Sequence, residues 1–315
     1  MMMHDEENPE GNDPEKDHPE KDDPEKDYPA RAAIESGLYV VATPIGNLGD
    51  LSPRARSILA SVDWIAAEDT RVTRRLFSTA DGSSAPHGRL IALHAHNERM
   101  QGERVVGLLQ GGARVALVSD AGTPAISDPG ARVVRAARDA GCKVFAVPGP
   151  NAAIAALSVS GLEPAAFTFC GFLPATGQAR RHAIEALRNA PGALVFYESP
   201  HRVVECLADL CAILGGDRTV VLSRELTKLF ESVHLCRLDA AVGWLESDAN
   251  HRRGEFVVIV DAPAQAVAAE DVETERVLAA LLAELPASRA AHVAARLCRV
   301  ERDHAYRLAL AMKSR

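Results

Sequence analysis

From Gly37 onward the chain alternates short apolar runs with longer amphipathic segments, and this alternation narrows the possible folds more than any other feature. Residues 38–43 (LYVVAT) read as a buried strand. Residues 64–68, 89–93, 114–119 and 143–147 read as four more. Residues 98–110 and 129–140 carry helical periodicity between them. Ser52 followed by Pro53 marks a helix start: serine caps free N–H groups, and proline lacks the N–H that a first turn leaves unpaired. Near-continuous apolar strands separated by helices imply a mostly parallel α/β sheet. A second α/β series follows, with strand candidates at 167–170, 193–197, 219–223 and 255–260. Residues 201–214 form a helix between them, with Val203, Val204, Leu207, Leu210, Cys211 and Leu214 on one stripe.

The boundaries that follow are an acidic tail at 1–36, one α/β domain at 37–152, a second at 153–262, and a small helical module at 270–315 after a linker at 262–269. The tail repeats DPEKD, HPEKD and DPEKD, with almost no apolar side chain, and is expected to be disordered. It also explains the charge. Of the net −8, residues 1–35 contribute −9, with thirteen Asp/Glu and four Lys/Arg. The folded body is therefore near neutral, and the overall acidity does not exclude a nucleic-acid partner. From Ser288 onward seven Lys/Arg stand against two Asp/Glu. Helices at 288–297 and 301–312, broken at Arg299 and Val300, give this basic segment a helix-turn-helix shape suited to nucleic-acid contact.

No apolar run approaches the ~20 residues of a membrane span, and the start of the chain lacks a secretory pattern, so the expected location is the cytoplasm. Cys142, Cys170, Cys206, Cys211, Cys236 and Cys298 form no CxxC pair and read as buried free thiols. His94 and His96 lack the accompanying ligands of a metal site, and no metal is expected.

Ligands of open α/β sheets bind at the carboxyl ends of strands. Three loops rich in Gly and Pro fall there: 44–49 (PIGNLG), 120–130 (DAGTPAISDPG) and 148–150 (PGP). Neither GxGxxG after the first strand nor GxxxxGK[ST] is present, which disfavours dinucleotide and P-loop sites. Polar clusters end other strands: Glu68-Asp69-Thr70-Arg71, His94-Ala95-His96, Tyr197 through Arg202, and Arg224 through Lys228. Ser199 and Pro200 read as the start of the following helix, with His201 in its first turn; Asp128 with Pro129 reads as the cap of the helix at 129–140.

Longer strings then match a known family. LYVVATPIGNLGDLSPRA, IAAEDTRVTRRL, ALVSDAGTPAISDPGARVV, VPGPNAAIAALSVSGL, LVFYESPHRVVECLADL, SRELTKLFE and RRGEFVVIV, in order from Gly37 to about Ala262, resemble the ribosomal RNA small-subunit methyltransferase I family of the tetrapyrrole-methylase superfamily. The resemblance implies two α/β domains of tetrapyrrole-methylase type with S-adenosylmethionine in the cleft between them, and a homodimer. It also implies 2′-O-methylation of a cytidine in the decoding region of the small ribosomal subunit. On that basis Pro44, Gly46, Ser119, Asp120, Gly122, Thr123, Pro124, Ile126, Pro148, Gly149 and Pro150 are expected to bind the cofactor, with Asp120 facing its ammonium group. Glu68, Asp69, Glu198 and Glu225 are the candidate bases for the reacting hydroxyl, and Arg71, Arg74, Arg202 and Lys228 the candidate RNA contacts. Each of the four acids can instead be paired to one of these cations. Two rival readings remain: a methylase of a porphyrin- or corrin-type precursor, and a non-enzymatic nucleic-acid-binding regulator.

Overall fold

The computed structural model describes residues 34–77, 88–262 and 269–313. The repeat tail, most of the 262–269 linker and residues 78–87 lie outside the described residues.

The first series builds one parallel sheet from β1 (Gly37–Val41), β2 (Trp64–Ala67), β3 (Arg89–Ala92), β4 (Arg114–Val118) and β5 (Val144–Val147), in the order β3-β2-β4-β1-β5. Both faces are buried, which is why the strands read as unbroken apolar runs rather than alternating ones. On one face α1 (Pro53–Ser61) packs Ile58 and Leu59 against Tyr39, Val41, Ile65 and Ala116. On the other, α3 (Glu98–Gln110) and α4 (Ala131–Asp139) supply Val105, Leu109, Val133 and Ala137 against Leu38, Ala66 and Leu117. The Ser52 side chain accepts from the Ala55 N–H, so the expected cap of α1 forms, with Pro53 in the first turn. A short α2 (Thr70–Arg75) follows β2.

The second sheet is mixed rather than parallel. Its strands are β6 (Phe167–Phe172), β7 (Ala193–Glu198), β8 (Thr219–Arg224), β9 (Ser232–Arg237) and β10 (Phe256–Val260), in the order β6-β7-β10-β8-β9. Only β6 and β7 pair in parallel; β10 runs antiparallel to both β7 and β8, and β9 is an antiparallel edge. The sequence gives little sign of β9, because SVHLCR exposes alternate residues and carries no continuous apolar run. Alternation assigns the two faces. Leu194, Phe196, Leu222 and Val258 point toward α6 (Gly177–Ala186), α7 (Val203–Leu214) and α8 (Leu238–Ser247). Val195, Tyr197, Val221, Val257 and Ile259 point toward α5 (Ala152–Val159) and the first sheet's loops, with Ile45 packed among them.

Three helices end the described chain: α9 (Ala269–Leu282), α10 (Ala287–Cys298) and α11 (Arg302–Lys313). Their core is Leu278 with Ala290, Ala291, Ala294, Ala305 and Ala309, small side chains that let the helix axes approach closely. Arg299 takes the left-handed conformation (φ 58°) at the break after α10, where the sequence places the turn. No helix among the described residues is long and apolar enough to cross a membrane.

Candidate active site

The site begins with strand order. β4 and β1 are neighbours, yet α1 after β1 packs on one face of the sheet and α4 after β4 on the other. Their loops must diverge, which opens a crevice at the carboxyl ends. Hydrogen bonds fix the loops that border it. Thr43 and Gly122 exchange backbone hydrogen bonds of 2.9 and 3.0 Å. The Thr43 hydroxyl donates to the Ser119 carbonyl at 3.1 Å, and the Thr123 hydroxyl to the Pro150 carbonyl at 3.1 Å. Gly122 sits at φ 80°, a conformation that glycine adopts without the Cβ clash of other residues.

The crevice opens into a cavity of about 360 Å³. Ala121, Gly122, Thr123, Ile126 and Asp128 form one wall, and Tyr197, Ser223 and Val257 of the second sheet, with Leu226 of the loop after β8, face them. Among the expected cofactor residues, Gly122, Thr123 and Ile126 line this space. Ser119, Asp120 and Pro150 stand in the hydrogen-bonded loops beside it, together with Pro44, Gly46, Pro124, Pro148 and Gly149. Gly46 serves a different contact: a Cβ there would lie 2.4 Å from Lys228 Cγ, so its bareness lets the loop after β1 meet the loop after β8. Sequence reasoning missed Tyr197, Ser223, Leu226 and Val257 as cavity residues. Period-two alternation from Val195 and Val221 supplied the signal, since it puts Tyr197 and Ser223 on the same face as Val257.

One side of the site is acidic. Glu68 follows β2 and Asp120 follows β4; with Asp128 they form an acidic group in which burial raises all three carboxyls above their ordinary range, helped by repulsion from Asp120 and Asp69 at Glu68, from Asp69 at Asp120, and from Glu68 and Asp120 at Asp128. Burial contributes most in each case. Asp128 is pushed up to about 6, and of its neighbours only the Ser119 hydroxyl stabilises its ionised form. Asp120 accepts the Asp69 N–H at 2.9 Å. The four acids expected as bases are held differently. Asp69 caps α2 and makes a fork with Arg71 (2.7 Å), which holds its carboxyl down at about 2. Glu225 is clamped by Lys228 and the Glu255 N–H, at 2.8 and 2.9 Å, and is lowered overall against the opposing cost of burial. Glu198 is buried; one oxygen accepts from the Ser199 N–H, Arg202 stands 3.5 Å away, and Oε2 has no partner. Glu68 is half-buried beside Asp120 but does not line the cavity.

The cations are also committed. Arg202 donates to the carbonyls of Leu173 and Pro174, Lys228 bridges Glu225 and Glu255, and Arg71 is taken by Asp69. Arg74 stands on the exposed side of α2. His94 and His96 have ring centroids 6.1 Å apart, and no group of three metal-ligating side chains occurs among the described residues.

Two local readings are corrected. Asp128 does not cap α4. Glu98, reaching across from α3, accepts from the N–H groups of Gly130 and Arg132 at 2.8 and 3.0 Å and occupies the helix N-terminus. Ser199 and Pro200 do not start α7 either, nor does His201 lie in its first turn: residues 199–202 form a turn, and the helix begins at Val203.

Residues 37–242 match the tetrapyrrole (corrin/porphyrin) methylases, and residues 268–313 match the RsmI C-terminal HTH domain. Solved structures share the fold at low identity: the methyltransferase CobJ (TM-score 0.54, 17% identity, 73% of this chain and 95% of that one) and diphthine synthase (TM-score 0.54, 18%, 71% and 89%). Curated relatives are much closer in sequence. A ribosomal RNA small subunit methyltransferase I of Xylella fastidiosa (strain Temecula1) is 52% identical over 273 residues, 85% of this chain and 97% of that protein. One of Pseudomonas aeruginosa is 50% identical over 276 residues, 87% and 96%. Identity at this level along nearly the whole length of those proteins, together with both matched domains, places the chain in the ribosomal RNA small subunit methyltransferase I family.

Proposed function

We propose that this protein uses S-adenosylmethionine to methylate the ribose 2′-oxygen of a cytidine in the decoding region of small-subunit ribosomal RNA, as a cytoplasmic homodimer. The observation that carries the reading is the cavity at the carboxyl ends of β1 and β4, in a chain whose relatives bear the name of ribosomal RNA methyltransferases. The cavity suits the cofactor. Apolar walls at Ile45, Ile126, Leu226 and Val257 fit its uncharged parts. The acidic group of Glu68, Asp120 and Asp128 fits a ligand carrying a sulfonium and an ammonium charge. The Ser223 hydroxyl, buried in the same wall without a partner, offers one hydrogen bond.

When bound there, the cofactor supplies an electrophilic methyl group. The chain's own contribution is chiefly positional: the backbone of residues 121–123, fixed by Thr43 and Pro150, sets where the ligand lies. The acidic group opposes its positive charge, and the walls keep water away. Ribosomal RNA is held by the basic helical module and by exposed cations such as Arg74. Arg71, Arg202 and Lys228 reach phosphate only by leaving the partners described above. A homodimer is supported by the edge strand β9 and the loop before it, which leave Leu229 (89% exposed), Phe230 (67%) and Leu235 (54%) open to solvent.

The test is transfer of labelled methyl groups to small ribosomal subunits from a strain lacking the protein, followed by nucleoside analysis. Labelled 2′-O-methylcytidine is the expected product. Cofactor binding with no label on any ribosomal RNA would favour the macrocycle methylase instead. Truncation after Ala262 is a companion measurement. Residues 269–313 pack on a core of their own, so the shortened protein is expected to keep its cofactor affinity and lose tenfold or more in affinity for the subunit. The salt dependence of subunit binding is expected to flatten, because fewer phosphates are neutralised. A regulator acting through its terminal helices would lose every activity on truncation.

A further inference from the structure

We propose that Asp128 is the catalytic residue that takes the proton from the attacking ribose hydroxyl. The inference rests on the methyltransferase reading and assigns a role within the same cavity.

The starting point is what Asp128 does not do. Its place before Pro129 suggests a helix cap, but Glu98 fills the N-terminus of α4. The carboxyl therefore has no structural task in the helix, and it lines the cavity instead. Its setting is built: Ser127 before it lies at φ 65°, outside the favoured region, and the Ser119 hydroxyl nearby, which donates to the Ala121 and Gly122 carbonyls at 3.3 Å, holds the loop that leads to it. Among the described residues no Lys or Arg is paired with it, in contrast to Asp69 and Glu225, whose charges are already matched. The titratable groups that act on it or share its cavity are few. Glu68 after β2 and Asp120 after β4 repel its charge, and Tyr197 on β7 senses it across the cavity. Glu198, Lys228 and Glu255 line the remaining wall. A second polar group, the Ser223 hydroxyl, is buried there (1% exposed) and unpartnered, which marks the space as one that a polar ligand completes.

A base must reach the reacting hydroxyl, be ionised at the working pH and still hold a proton well. Asp128 meets these conditions: it faces the cavity, and its burial among acids leaves a carboxylate of unusually high proton affinity, titrating at about 6. Asp69, held down at about 2, is too weak a base, and Glu68 does not line the cavity. In the step, the hydroxyl proton passes to an Asp128 oxygen, the O–H electron pair forms the bond to the methyl carbon, and the pair of the broken carbon–sulfur bond stays on sulfur. The proton then leaves to water.

The experiment compares wild type with Asp128→Asn and Asp128→Glu, using S-adenosylhomocysteine binding by calorimetry and methylation of small subunits. Asp128→Asn is expected to lower kcat about 100-fold or more, the span assigned to a general base, and to weaken S-adenosylhomocysteine binding by a much smaller factor, because Asp128 supplies only one of the charges of the acidic group. In wild type, kcat rises with pH through about 6, and this limb disappears in the variant. A readout without turnover accompanies it: a carboxyl carbon resonance titrating near 6 in aspartate-labelled protein is absent from Asp128→Asn. Well below 3.8 the acid is protonated in both folded and unfolded chains; above 6 both are ionised and only the folded chain carries a disfavoured charge. Asp128→Asn is therefore expected to raise the thermal midpoint at pH 8, and this gain is expected to shrink as the pH falls from 6 toward 3.8 and below. Unchanged kcat overturns the assignment, as does weaker S-adenosylhomocysteine binding with kcat preserved, which would make Asp128 a cofactor ligand. A wild type that labels no ribosomal RNA overturns the functional reading instead, and this inference falls with it.

Discussion

Replacing Gly122 by valine is expected to weaken cofactor binding at least 100-fold, measured by calorimetric titration with S-adenosylhomocysteine. At φ 80° a residue with a Cβ pays about 1–2 kcal/mol, and a β-branched one more. The chain can relieve that strain only by rotating the peptide. Rotation breaks the paired hydrogen bonds to Thr43 and pulls on the Thr123–Pro150 contact next to it. Space is the lesser problem, because a Cβ would meet Ile45 Cγ2 at 3.5 Å, an ordinary contact. Gly122→Ala is therefore expected to bind with intermediate affinity, showing the cost of conformation without that of added bulk. Wild-type affinity in both variants would mean that this loop does not hold the cofactor. The melting temperature serves as control: it is expected to fall by a few degrees, since the loop is anchored only at its edges.

Arg180→Ala is expected to destabilise the protein by about 3 kcal/mol, the range for removing one partner of a buried ion pair, with urea unfolding as the measurement. Arg180 lies in α6 with its side chain 4% exposed, and reaches Asp209 at 2.7 Å and Glu205 at 3.2 Å on α7. Glu205 is mostly in solvent, so its loss of a partner matters little. Asp209 is not: its side chain is 15% exposed, and only Arg181 at 3.4 Å would remain beside it. The double change Arg180→Met with Asp209→Leu is expected to recover most of the loss, because it removes the stranded charge as well as the pair. A loss below about 1 kcal/mol for Arg180→Ala would show that α6 and α7 shift to hydrate the carboxylate. The result bears on function because α7 follows directly from the turn that ends β7, where Tyr197 and Glu198 line the cavity.

The sequence by itself determined the elements and the ligand-facing loops. Buried parallel strands must be apolar along their length, so β1 to β5 were visible as runs, and the glycines and prolines of residues 120–130 and 148–150 marked where the backbone turns sharply. The basic helix-turn-helix was equally plain, because its alanine-lined core and its break at Arg299 are local properties. Tertiary structure decided the rest, wherever the deciding partner is distant in the chain. Edge strand β9 has meaning only beside β8, which buries one side of an otherwise polar segment. Asp128 before Pro129 has the local pattern of a cap, but Glu98, thirty residues earlier, occupies that position. Asp69, Glu198, Glu225 and Asp128 are all carboxylates at strand ends or loops, alike in any one-dimensional reading. Arg71, Arg202 and Lys228 neutralise or neighbour three of them, and none reaches the fourth. Proton affinity depends on what lies within a few ångströms, and only the folded chain brings those neighbours together.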